Sequence, residues 1–100
     1  MEHKDDTFEN PILKKILESD IHDVDSIIVL QGLSGAVIGI SERWGEIPKL
    51  VYDKDKIMDI LVEGEGMSED EAVDHFYYNI MGTYMGEGTP VYITDYRSEA

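Results

Sequence analysis

Residues 67–90, MSEDEAVDHFYYNIMGTYMGEGTP, contain a helix start that dictates what must surround it. Ser68 and Glu71 have the S-x-x-E spacing of a capping box. The serine hydroxyl accepts from the backbone N–H of the glutamate, and the glutamate reaches back to the serine N–H. Met67 and Ala72 fall where a hydrophobic staple would close that turn. At about 100° per residue, Ala72, Val73, Phe76, Tyr77 and Ile80 share one arc, and Asp70, Glu71, Asp74, His75 and Tyr78 share the other. This spacing points Tyr77 toward the core edge and Tyr78 outward. An apolar stripe of this width requires a second layer to cover it. Gly82 is predicted to end the helix.

The rest of the chain supplies that layer. Residues 1–9 read as a loose polar tail, and residues 10–100 as a single domain. In NPILKKILES, Asn10 can cap a short helix with Pro11 at its first position, and Ile12, Leu13, Ile16 and Leu17 lie on one face. DIHDVD is a polar connector. SIIVLQG and GAVIGISE are predicted to be two strands joined at GLSG, with apolar runs suited to a covered sheet. RWGEIP is a loop and KLVYD a third strand. Asp53 then caps a helix over Lys54 to Glu63, whose Ile57, Ile60 and Leu61 form a stripe, and GEG stops it. GEGTP is a turn leading into a last strand, VYITDY. The expected fold is therefore α+β in the order α-β-β-β-α-α-β: about four mostly antiparallel strands against two or three helices.

Charge narrows the function. Twenty-two acids against eight bases leave −14 on 100 residues. Between Ile57 and Tyr96 the acids are Asp59, Glu63, Glu65, Glu69, Asp70, Glu71, Asp74, Glu87 and Asp95, with no Lys or Arg. Direct nucleic-acid binding and attachment to anionic lipid are both opposed by this field, and a basic protein surface is its complement. There is no cysteine, which rules out disulfides, thiolate metal sites and thiol nucleophiles and fits a reducing cytoplasm. The polar N-terminus shows no signal peptide, and the longest apolar runs are too short to cross a bilayer.

Leu50 to Ile93 carries a YD strand end, an amphipathic helix, a GMSEDEA helix start, the segment NIMGTYMG and a closing TPV strand. This order resembles a family of small proteins found in phages and bacterial genomes, and GAVIGISER looks like that family's upstream strand. The resemblance implies a phage or mobile-element setting, with a host-cell cytoplasmic location. It transfers no catalytic residue.

Candidate chemistry is sparse. Glu71, His75 and Asn79 stand at i, i+4 and i+8, a row able to hold a proton or a metal. HExxH is absent, however, and an exposed Glu–His pair explains the row as well. Asn79 is expected to pin the glycine turn or a strand end. The glycines of GTYMGEG follow a helix and precede a strand, the reverse of a phosphate-binding loop. No nucleophile–base set or metal quartet is present, so no enzyme activity, cofactor or metal is expected. Trp44 is either an interface anchor or folds back over the sheet. The acidic surface has three readings: solubility, a complement to a basic protein partner, or imitation of nucleic-acid phosphates in a host-defence or nucleic-acid-processing protein. The expected contact residues are Glu69, Asp70, Glu71, Asp74, Tyr78 and Trp44. The alternative is a homo-oligomeric structural or accessory domain whose interface uses Trp44, Tyr78, Met81 and Met85.

Overall fold

KLVYD lies at the centre of the domain because its period-two pattern sends Leu50 and Tyr52 to the same face, where both are fully buried. The computed structural model describes residues 10–19 and 27–99, so the expected tail (1–9), the DIHDVD connector, His3 and His22 lie outside the described residues. Among the described residues the architecture is α+β, with three helices on a three-stranded mixed sheet. Helix α1 spans Pro11–Glu18, β1 Val37–Ser41 and β2 Lys49–Asp53. Helix α2 spans Lys54–Asp59 and continues through a π-helical turn, Ile60–Gly64. Helix α3 spans Glu69–His75 and widens likewise over Phe76–Met81. Strand β3 is Val91–Ile93.

The sheet order is β1-β2-β3. β1 and β2 are antiparallel, with Ile40 opposite Leu50 and an irregularity between Val37 and Gly39. β2 and β3 are parallel, with Tyr52 opposite Tyr92. A parallel pair needs a long crossover, and residues 54–90, carrying α2 and α3, provide it. The sheet is thus mixed, and not mostly antiparallel as expected.

The expected strand SIIVLQG is not formed. Its Ser26 is outside the described residues, and Ile27–Leu30 join no ladder. Instead the Leu30 N–H donates to the Tyr52 hydroxyl at 2.8 Å. The Leu33 N–H donates to the Leu30 carbonyl across a tight turn whose Gly32 has φ +82°, a backbone that favours glycine. A 3-10 turn at Ser34–Ala36 then delivers the chain to β1. Among the described residues the sheet consequently has three strands, not four, and the expected closing strand VYITDY is strand only at Val91–Ile93, followed by a 3-10 turn at Tyr96–Glu99.

Asn10 joins the first helix to this core. Its Oδ1 accepts from the Ile12 and Leu13 N–H groups, and its Nδ2 donates to the carbonyls of Ser34 (2.7 Å) and Val37 (3.1 Å). Leu13 is fully buried beneath it, whereas Ile12 and Leu17 stay partly exposed. On the other side, Phe76 meets the Tyr92 ring edge-on at 5.3 Å, and Tyr92 lies 6.0 Å from Tyr52. This aromatic chain fastens α3 to the sheet. Burial pushes the Tyr52 phenol up to about 12, tempered by the Leu30 N–H and reinforced by nearby Tyr92.

Candidate functional site

The capping box forms as expected. Glu71 N–H donates to Ser68 Oγ at 3.1 Å, and Ser68 N–H donates to the Glu71 carboxylate at 2.9 Å. Ahead of it, the Met67 N–H reaches the Leu61 carbonyl at 3.1 Å, which ties the start of α3 to the end of α2. Ala72, Phe76 and Ile80 are buried. The buried stripe is narrower than the helical wheel implies, because Val73 and Tyr77 are each partly exposed. Tyr77 lies at the core edge: its ring meets that of buried Phe76 edge-on at 5.0 Å, while its hydroxyl accepts from Lys54 Nζ at 3.2 Å on the surface. The i→i+5 winding beyond His75 widens the turn there and moves side chains off the ideal wheel.

The outward half of α3 is uncovered. Glu69, Asp70, Glu71 and Asp74 are all exposed, and Tyr78 is 79% exposed. Among the described residues no cation pairs with these four acids; the ion pairs present are Lys49–Glu46, Arg43–Glu46 and Arg97–Asp95. The first-turn acids Glu69, Asp70 and Glu71 face the positive end of the helix dipole.

Two depressions adjoin this face. The first is a shallow groove lined by Glu65, Met67, Glu71, Asp74, His75 and Tyr78, with Asn79. The second shares Glu65, Met67, His75 and Asn79 and adds Gln31 and Gly32 to a largely apolar lining of Leu30, Leu33, Leu61, Ile80 and Met85. His75 and Asn79 stand between them, joined by a 3.1 Å contact from Asn79 Nδ2 to His75 Nδ1. Glu71, His75 and Asn79 line one groove, but one carboxylate oxygen of Glu71 serves the cap. Among the described residues no group of three His, Asp or Glu side chains is arranged to hold a metal ion. Asn79 does not pin the glycine turn with its side chain. Its carbonyl does that work, accepting from Thr83 Oγ1 at 3.0 Å.

Met85 reaches the apolar depression because its loop is fixed. Its N–H donates to Thr89 Oγ1 at 2.7 Å, and that hydroxyl donates to the Gly86 carbonyl at 2.6 Å. Of Gly82, Gly86 and Gly88, only Gly86 has a positive φ, at +98°. Gly82 is constrained differently: a Cβ there would lie 3.0 Å from the Tyr77 carbonyl oxygen.

Trp44 does not join this assembly. It is 100% exposed, so it does not fold back over the sheet. Its neighbours Gly45 and Glu46 line a separate groove with Ile47, Lys49, Tyr84 and Thr89. The expected contact set therefore divides into an α3 group and a lone tryptophan. Sequence reasoning missed Glu65, Leu30 and Leu33, and named Met85 only for a self-interface; they come together through the turn at Gly32 and the loop closed by Thr89. No helix of the described residues is long and apolar enough to cross a membrane. No family model, curated protein or solved structure matches the chain.

Proposed function

We propose that this chain is a non-enzymatic interaction protein whose α3 face meets a basic surface on a protein partner. The observation that carries the reading is the uncovered set Glu69, Asp70, Asp74 and Tyr78, which no cation among the described residues neutralises. The resemblance of Leu50–Ile93 to small phage and bacterial proteins favours a mobile-element setting in a host cytoplasm. There, a basic surface of this kind is the nucleic-acid groove of a host-defence or nucleic-acid-processing protein, and the carboxylates would stand in for phosphates. Association of this type is electrostatically steered, fast and salt-sensitive.

The test is displacement of DNA from a panel of basic DNA-binding proteins at low and high salt, with the wild type and the Asp70→Lys/Asp74→Lys variant. Displacement that weakens with salt and is lost in the variant supports the reading. Displacement equal in both proteins, or insensitive to salt, refutes it.

Full exposure of Trp44, together with exposed Tyr84 and Met81, favours a second reading, a homo-oligomeric accessory domain without inhibitory role. Sedimentation velocity over a concentration series separates the two, and a monomer throughout removes the second.

A further inference from the structure

We infer that the apolar depression beside α3 takes a hydrophobic side chain of the partner, so that the recognised segment is amphipathic and basic, with a Leu-, Ile-, Met- or Phe-type residue set next to Lys or Arg. The inference rests on the α3 reading above and specifies what that partner must carry.

The floor of the depression is Leu33, Leu61 and Ile80, the same residues that close the core, while Leu30, Met67 and Met85 form its walls. Two methionines make a wall that can reshape around different apolar side chains. Glu65 stands on the shared rim, and the adjoining groove adds Glu71, Asp74 and the Tyr78 ring. No Lys or Arg lines either depression. An apolar ligand bearing a carboxylate or phosphate would be repelled at this rim. One bearing a guanidinium or ammonium gains the carboxylates, and a guanidinium can also stack on Tyr78. Amphipathic segments are commonly bound in this way, with apolar anchors in a groove and charges along its edge.

The contrast with the groove near Trp44 is informative. That groove contains Lys49, and its Glu46 is already paired with Lys49 and Arg43. It also carries Glu87, but a lysine lines it and one of its two acids is paired, whereas among the described residues the α3 rim has no paired acid and no lysine or arginine. A second copy of this chain is a poor occupant, because each copy brings a net charge of −14 and like-charged bodies repel.

The experiment uses two peptides of equal length and charge. One has leucines at i, i+3, i+4 and i+7 with lysines between them; in the other, every leucine is serine. Binding is followed by fluorescence anisotropy and by methyl NMR of the full chain. The Leu/Lys peptide is expected to bind about tenfold tighter or better, the least expected from burying one leucine. It should also shift the methyl signals of Leu30, Leu61, Ile80 and Met85, while the Ser/Lys peptide leaves them in place. Met85→Gln, on a surface loop, should abolish the leucine advantage without changing Ser/Lys affinity. Glu65→Lys/Asp74→Lys should weaken both peptides. Equal binding of the two peptides with silent methyls overturns the inference and leaves the α3 reading standing. Binding of neither peptide overturns both. Groove methyls that shift with protein concentration alone assign the groove to self-association and overturn the inference.

Discussion

Replacing Tyr52 by phenylalanine removes one oxygen atom, and its effect should change sign with pH. The hydroxyl is the acceptor for the Leu30 N–H at 2.8 Å, and the ring is fully buried on the central strand. At neutral pH the variant leaves that partly buried N–H without its acceptor, which costs about 1–2 kcal/mol. For a domain of this size such a loss lowers Tm by roughly 4–8 °C per kcal/mol. Alkali acts in the opposite direction. Burial pushes the folded phenol up to about 12, from an ordinary value of 10.0. The unfolded chain therefore loses the proton first. The stabilisation is complete below the unfolded value and is lost as pH rises through the folded one. At most one proton is linked, about 1.4 kcal/mol per pH unit, so between pH 9 and 11.5 wild type should lose about 2 kcal/mol relative to the variant. Urea denaturation of both proteins across that range measures the difference directly. Phenylalanine should be worse at pH 7 and equal or better at pH 11.5. A constant gap across the range would show that the Tyr52 phenol is not shielded as described.

Three further outcomes follow from particular contacts. Ser68→Ala removes half of the capping box and should cost about 1 kcal/mol, read by urea denaturation; no loss would mean that α3 does not depend on its cap. Asn10→Asp preserves the cap but aims a carboxylate at the Ser34 and Val37 carbonyls, where Nδ2 now donates. It should cost about 3 kcal/mol or more at pH 7 and recover as pH falls and the acid protonates, and a variant as stable as wild type would refute the buried geometry. Arg97 bonds the Asp95 carboxylate through its side chain at 2.9 and 3.0 Å and through its backbone N–H, and holds that carboxyl down at about 2. Any stabilisation from this pair is present above the unfolded value and lost as pH falls through about 2. Arg97→Gln should raise the Asp95 carboxyl toward the ordinary carboxylate range in an NMR titration.

The features that were legible in the sequence are those decided within one turn of chain. Asn10 with Pro11, Asp53, and Ser68 with Glu71 all cap helices as expected, because each satisfies backbone groups two or three residues away. What failed depended on distant partners. Ile27–Leu30 has strand composition, yet its Leu30 N–H is taken by a phenol 22 residues along the chain. Ile12, Leu13, Ile16 and Leu17 share an arc, but α1 rests on β1 along one row, so Leu13 alone is fully buried. At the site, exposure of Asp70, Asp74 and Tyr78 followed from the wheel. The neighbouring apolar depression did not, because Leu30, Leu61 and Met85 reach it from three separate elements.

The acids of α3 also divide by whether the fold has its own use for them. Glu71 closes the cap, and Glu69 and Asp70 sit in the first turn, where the dipole rewards negative charge. Asp74 and Tyr78 have neither reason. The dipole's influence is confined to the first turn, and both residues are poorer helix formers than alanine by roughly 0.5 kcal/mol. Tyr78 gains little from burial at 79% exposure. Solubility alone does not account for them, since glutamate or lysine at the same positions would serve it with better helix propensity. The two residues are neighbours at i and i+4, and both line the groove whose rim includes Glu65. Intramolecular stability therefore argues against this pair, while binding to a cationic, partly apolar partner argues for it. Stability and affinity should separate here: alanine at either position leaves the fold as stable or slightly more so and weakens association, whereas Ser68→Ala weakens both together.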